Sequence, residues 1–316
     1  MNELAGSGHE TKLSMRSIDT ATRLCAVIGN PVEHSFSPLM HNAAFEATGL
    51  NYVYVAFRVE DLEGCLRGMR AMPGFRGMSV TIPHKIPAVR YIDAIDPIAK
   101  KVGCVNTIVN EDGRLLGSTT DGVGVLRAFT EAGVPLEGTK VLFVGSGGAV
   151  RSVAFALADL AAPAAITVLG RTASRVAALV NDLCAQTAVR VQGGRLPEDL
   201  AEATASHDVV IQGTPLGMYP DSIGETCIPS TLLRPELTVF DMVYRPYRTR
   251  LMREAEEAGC RTILGAEMLV NQAVLQFETW TGVPAPREVM RNRLVVELED
   301  EEPGASASRR AGGFAT

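Results

Sequence analysis

Apolar positions along this chain alternate between two patterns. Short, nearly continuous apolar runs read as strands buried on both faces, and longer segments between them read as helices with one apolar side. The pattern predicts strands at Leu24–Ile28, Tyr52–Phe57 and Gly77–Ile82, with helices at Pro38–Thr48, Asp61–Met72 and residues 84–95. Asn106–Asn110 and Arg114–Ser118 read as a hairpin across Asp112-Gly113. Further strands are expected at Lys140–Val144, Ile166–Leu169, Val209–Gln212, Val239–Asp241 and Arg261–Leu264. Helices are expected at Asp121–Gly133, Ala149–Leu160, Ser174–Thr187, Arg248–Ala258 and Ala266–Thr281, the last ending the folded part. Such alternation predicts an α/β protein with parallel sheets covered by helices, in two halves that meet near residue 121. The final helix follows Gly265 and is apolar enough to dock away from the second half. Residues 1–20, without periodicity, are expected to be a disordered leader. Residues 299–316, acidic and then rich in Gly, Ala and Ser, are expected to be a disordered tail.

Composition narrows the class. With 316 residues, 46% of them apolar and 21% charged, the chain can form two domains with a substantial core. A formal charge of −6 argues against a nucleic-acid partner, because phosphate binding wants a basic face. No stretch is long and apolar enough for a membrane span, and no apolar signal core opens the chain, so a cytoplasmic location is expected. The six cysteines, at 25, 65, 104, 184, 227 and 260, form no C-x-x-C pair. They read as buried apolar thiols, and no metal site is expected. His34, His41 and His84 lack ligand spacing and read as loop or helix-surface residues.

Two regions carry chemistry. In the second half, Gly145-Ser146-Gly147-Gly148-Ala149-Val150 joins a buried strand to a helix in the G-x-G-x-x-G/A layout, with Val150 at the third small position. Its first glycine permits the tight turn, its second lets backbone approach a pyrophosphate, and the helix N-terminus offers N–H groups to the anion. The next strand ends in Gly170-Arg171-Thr172, with Arg175 a turn later and no Asp or Glu to hold a ribose 2′-hydroxyl. Guanidinium groups there suit a 2′-phosphate, which makes NADP(H) the expected cofactor.

In the first half, Ser79-Val80-Thr81-Ile82-Pro83-His84-Lys85 puts a lysine just past a strand that proline terminates. A strand end is a rigid mount from which Lys85 can be aimed at a ligand. The loop Gly29-Asn30-Pro31-Val32-Glu33-His34-Ser35-Phe36-Ser37-Pro38 offers hydroxyls at two alternate positions, suited to a carboxylate or polyol. Ser37-Pro38 also makes an N-cap and N1 pair, so capping accounts for one serine and leaves the other spare. Asn106 opens a strand, and Asp121 opens a helix, where an N-cap is an equally good reading.

Taken together, these segments resemble the shikimate dehydrogenase family over about residues 22–298. The resemblance continues through Thr120-Asp121-Gly122, Gly213-Thr214-Pro215-Leu216-Gly217-Met218, Asp241-Met242-Val243-Tyr244-Arg245-Pro246 and Gly265…Met268-Leu269…Gln272. It implies an N-terminal α/β substrate domain with a mixed sheet (21–121 plus 265–298), a Rossmann-like NADP-binding domain (122–264) and an active-site cleft between them. It implies reversible NADPH-dependent reduction of 3-dehydroshikimate to shikimate, by a monomer or homodimer. By the same resemblance Ser35, Ser37 and Tyr244 hold the substrate carboxylate. Thr81, Lys85, Asn106, Asp121 and Gln272 hold the ring hydroxyls and carbonyl, with Lys85 and Asp121 the catalytic pair. Thr214, Met218, Gly265 and Met268 lie at the nicotinamide end. The chain departs from the family at Ser79, where many members have asparagine, and at Cys104, Gly170 and Gln212. Other readings are a quinate or quinate/shikimate dehydrogenase using NAD(P), and a non-catalytic ligand-sensing module. The presence of both Lys85 and Asp121 speaks against the sensor.

Overall fold

The computed structural model describes residues 18–301. The first half runs β1 (Arg23–Gly29), α1 (Ser37–Ala47), β2 (Tyr52–Arg58), α2 (Leu62–Ala71), β3 (Phe75–Val80), a 3-10 turn (Pro87–Tyr91), β4 (Ala94–Ile95), α3 (Pro97–Val102), β5 (Thr107–Glu111) and β6 (Arg114–Ser118). These strands form one mixed sheet in the order β2-β1-β3-β5-β6-β4. β1 is parallel to β2 and β3, whereas β5 is antiparallel to β3 and β6.

Helix α4 (Asp121–Glu131) leads into the second half. There follow β7 (Lys140–Val144), α5 (Gly148–Leu160), β8 (Ala165–Gly170), α6 (Ala173–Gln186), β9 (Arg190–Arg195), α7 (Leu200–Ser206), β10 (Val209–Gln212), β11 (Thr238–Asp241), α8 (Arg250–Glu257) and β12 (Arg261–Ile263). The strand order β12-β11-β10-β7-β8-β9 is parallel throughout. This is the doubly wound order, which reverses between β7 and β10, and ligands bind at the carboxyl ends of the strands beside such a reversal.

Two helices follow among the described residues, α9 (Gly265–Thr281) and α10 (Arg287–Asp300). Helix α9 returns to the first sheet, where Val270, Ala273, Phe277 and Trp280 pack with Met40, Phe45 and Tyr54. The Trp280 indole donates to the Ile108 carbonyl at 3.0 Å. It lies so close to the strand that a Cβ at Gly77 would collide with the indole nitrogen. On the opposite face of that sheet, Leu62, Leu66 and Met69 of α2 pack with Met78, Val80 and Ile108.

The structure differs from the sequence expectations in several elements. Residues 84–95 do not form a helix but a run of turns, the 3-10 segment and β4. Pro87 opens the short 3-10 segment, where its missing N–H costs nothing, and Ala94–Ile95 leave helical geometry to pair with β6. Helices α3 and α7, strand β9 and helix α10 were not expected. β9 is a largely exposed edge strand with two glycines and little apolar signal. α10 shows its core side only as Met290, Leu294 and Leu298 among charged residues. Since α10 reaches Asp300 and Glu301 caps it, the tail expected from 299 is structured to 301, and residues 302–316 and most of the expected leader lie outside the described residues. His41 and His84 are buried, not on a surface, and Cys184 is exposed rather than buried.

Candidate active site

The run from Ser79 to Lys85 leaves β3 and is pinned on both sides. Thr81 N–H donates to the Ile28 carbonyl and Asn30 N–H to the Ile82 carbonyl, each at 2.9 Å. His84 N–H closes a turn on Thr81, and its ring Nε2–H donates to the Val59 carbonyl at 2.8 Å. His84 is thus a strut of the turn. The Lys85 carbonyl accepts from Val105 N–H at 3.0 Å, which ties the lysine to the segment carrying Asn106.

From that mount the Lys85 ammonium donates to Asp121 Oδ2 at 2.6 Å. The lysine side chain is 25% exposed and that of Asp121 only 7%, so the pair sits at a wall with one open side. Burial pulls the lysine pKa down, but the charge and hydrogen bond of Asp121 outweigh it and hold the ammonium above its ordinary value. Asp121 is the first residue of α4, yet it does not cap it, and the N-cap position belongs to Thr120. Its Oδ1 accepts instead from Asn106 Nδ2 at 2.7 Å. The Asn106 amide is oriented by Thr120 N–H and Thr107 Oγ1–H, which donate to its Oδ1 at 2.9 and 2.8 Å.

These groups open into a cleft of about 330 Å³ whose walls come from both halves. Ser35, Ser37, Thr81, Lys85, Asn106, Asp121, Tyr244 and Gln272, the whole expected substrate set, line it. Ser37 does not cap α1, whose N-cap is Phe36 with no side-chain bond. Instead Ser37 N–H donates to Ser35 Oγ at 3.3 Å, so the loop curls both serines toward the cleft. Gln272 Nε2 donates back to Leu269 at 3.0 Å, leaving its carbonyl oxygen for a ligand. Tyr244 packs edge-on to Phe36, and burial raises its phenol pKa, so it is a neutral donor. The cleft also has walls that the sequence reading did not assign to the site: His34, Ser79, Met242 and Leu269, named there in other roles, and Gln276, not named at all.

Among the expected dinucleotide residues, Ala149, Gly265 and Met268 line the same cleft. Gly145, Ser146, Gly147, Gly148, Arg171, Thr172, Arg175, Thr214 and Met218 lie outside it, in the segments just past β7, β8 and β10. Gly145 has φ +119°, and a Cβ there would stand 2.9 Å from the Gly213 backbone. A Cβ at Gly147 or Gly148 would meet nothing within 4 Å, so open space lies at the start of α5 where its N–H groups point. Val150 fits the third small position because its partner there is Gly213, where a Cβ would collide with a Val150 methyl. Arg171 and Arg175 are exposed and make no ion pair among the described residues, which leaves both guanidinium groups for an anion. Gln212 braces the following loop, donating to the carbonyls of Thr214 and Leu216 at 3.0 Å each. The residues present therefore fit a dinucleotide with a 2′-phosphate.

The profile of the shikimate dehydrogenase substrate binding domain matches residues 27–108, and that of the shikimate 5′-dehydrogenase C-terminal domain matches residues 265–295. A shikimate dehydrogenase (NADP(+)) of Moorella thermoacetica is 42% identical over 303 residues, which cover 94% of this chain and 100% of that protein. The chain belongs to the shikimate dehydrogenase family.

The shikimate dehydrogenase structures share its architecture. That of Listeria monocytogenes, in complex with shikimate and NAD, superposes with a TM-score of 0.83 at 38% identity, covering 88% of this chain and 98% of that one. That of Thermus thermophilus, in complex with NADP(H) and shikimate, gives 0.77 at 34% identity, covering 87% and 99%. Within the family frame, the departures at Cys104 and Ser79 become legible. Cys104 is buried against Ser152 Oγ at 3.5 Å, behind the wall of the site. Ser79 is not a passive replacement, because its hydroxyl joins Tyr54 to Gln276.

Proposed function

We propose that this protein catalyses the reversible NADP(H)-dependent reduction of 3-dehydroshikimate to shikimate. The observation that carries this reading is one cleft that places Lys85, Asp121 and Asn106 together with Ser35 and Ser37 and runs to Ala149 at the start of α5. Residues 21–121 with 265–298 would bind the substrate, and residues 122–264 the dinucleotide. The open turn at Gly145–Ala149 would take the pyrophosphate, Arg171, Thr172 and Arg175 the 2′-phosphate, and Thr214, Met218, Gly265 and Met268 the nicotinamide end. When bound, the dinucleotide supplies hydride to the carbonyl carbon or accepts it from the alcohol.

The protein's own residues do the rest. Ser35, Ser37 and Tyr244 donate hydrogen bonds to the carboxylate at the far end of the ring, which decides the face presented to the cofactor. Thr81, Asn106 and Gln272 hold ring hydroxyls. During reduction, negative charge grows on the carbonyl oxygen, and the Lys85 ammonium stabilises it and delivers the proton. Asp121, an acceptor for both Lys85 and Asn106, keeps that ammonium charged and aimed. In the reverse direction Lys85 must take the alcohol proton, and its raised pKa makes oxidation improve toward alkaline pH.

The test is turnover of the purified protein with shikimate or quinate and either nicotinamide. Shikimate with NADP+ is expected to be fastest, and faster turnover of quinate with NAD+ would overturn the reading. Lys85→Ala is expected to lower kcat by roughly 10²–10⁴, the usual share of a positioned acid/base group. Calorimetry on the same variant should show shikimate still bound, and near-normal turnover would remove Lys85 from the mechanism.

A further inference from the structure

Behind the Lys85–Asp121 pair, the cleft wall continues into the core as one line of hydrogen bonds. Tyr54 OH donates to Ser79 Oγ at 2.6 Å, and Ser79 donates to Gln276 Oε1 at 2.7 Å. Gln276 Nε2 donates to Thr107 Oγ1 at 3.0 Å and to the Asn106 carbonyl at 3.2 Å. Thr107 Oγ1–H donates to Asn106 Oδ1 at 2.8 Å, and Asn106 Nδ2 donates to Asp121 Oδ1 at 2.7 Å. Tyr54, Gln276, Thr107 and Asn106 are all at most 2% exposed. The donors all point one way, toward the carboxylate. Asp121 can only accept and the Thr120 N–H can only donate, which gives the Asn106 amide one orientation, and the bonds through Thr107, Gln276 and Ser79 run in the sense that agrees with it.

We infer that Gln276 is a positioning residue for the reaction. It holds Asn106 at both its backbone carbonyl and, through Thr107, its amide, and so holds Asp121 against Lys85, while Ser79 sets the Gln276 carboxamide. This rests on the proposed function only in taking Lys85 and Asp121 as the groups that act on substrate.

Ser79 and Gln276 form a matched pair. Ser79 lies directly opposite Thr107 in the β3–β5 pairing, where cross-strand Cβ atoms are about 4.5–5.5 Å apart. An asparagine at 79 would carry its carboxamide within reach of the Thr107 hydroxyl. In this chain position 79 is only a hydroxyl, and the carboxamide arrives from α9 instead.

The experiment compares Gln276→Met, which keeps the volume and removes both polar ends, Gln276→Ala, and the exchange Ser79→Asn with Gln276→Ala. Both single variants should lose about 10-fold or more in kcat, with the shikimate KM changed less than about threefold, because sub-ångström misplacement acts on the chemical step. The exchange variant should recover most of that loss. Independently of turnover, the Asn106 side-chain amide protons should exchange slowly in the wild type and the exchange variant, and rapidly in Gln276→Met, read by nitrogen-15 NMR. Unchanged amide protection in Gln276→Met, or an exchange variant no better than Gln276→Ala in both readouts, would overturn the inference. Absence of shikimate turnover in the wild type would instead overturn the proposed function, and the amide readout would still decide the role of Gln276.

Discussion

His41 shows how far a residue's surroundings can move its chemistry. It is fully buried in α1, stacked on Tyr54 with ring centroids 4.4 Å apart, and its polar neighbour is the Gln276 side chain, which offsets the burial only in part. Burial drives its pKa down to about 3, so the folded protein keeps it neutral. The unfolded chain protonates it near the ordinary histidine value of about 6.5. Between those values the unfolded state binds the extra proton, so stability is lost as pH falls below about 6.5. His41→Phe should remove this slope. The stability of the wild type relative to the variant should fall by up to about 1.4 kcal/mol per pH unit on acidification from 6 to 4, measured by urea unfolding. Equal slopes would show that His41 is protonated in the fold. Nothing in the sequence around His41 marks it as buried, whereas Lys85, after a strand and a proline, carried its placement openly. Ser79 and Gln276 stayed illegible as site residues because their meaning lies in each other, 197 positions apart.

Among elements, those with strong apolar runs were the easiest to read. The strands at Leu24, Val141 and Val209 needed no tertiary context, because both of their faces are covered. β9 and α10 needed that context, since an edge strand and a charged surface helix take their places from what they pack on. α10 is held by Met290, Leu294 and Leu298 against α1 and α9, and by Arg287 and Arg291, which both pair with Glu267. Leu294→Ala should therefore cost about 2–5 kcal/mol of unfolding free energy while leaving kcat unchanged well below the melting temperature. A cost under about 1 kcal/mol would mean that α10 adds little to the fold.

For the whole molecule, the alternation of strands and helices announced two α/β halves, and the glycine-rich turn identified which half suits the dinucleotide. The cleft itself was not visible as a shape, because its walls are drawn from residues 27 to 276 and only the folded chain brings them together. A ligand held by both halves stabilises the native state as one body. At 100 times its Kd, shikimate should add about 2.7 kcal/mol and raise the melting temperature by several degrees. Lys85→Ala should keep most of that shift, and Ser35→Ala with Ser37→Ala should lose most of it, if the carboxylate is held where the proposed function puts it. Loss of the shift in Lys85→Ala alone would reassign the anchoring to the lysine.

Trp280, whose indole lies against Gly77 and whose backbone carbonyl accepts from Arg76 at 2.9 Å, has a consequence for how the protein is made. The second sheet is drawn from one continuous stretch, Lys140 to Ile263, and can assemble as soon as that stretch has left the ribosome. The first sheet, though translated earlier, waits for α9 to cover it. During synthesis the face of the first sheet that α9 covers is thus expected to be buried only after the strands of the second sheet have emerged, with the Gln276 brace of the Lys85 wall arriving at the same late stage.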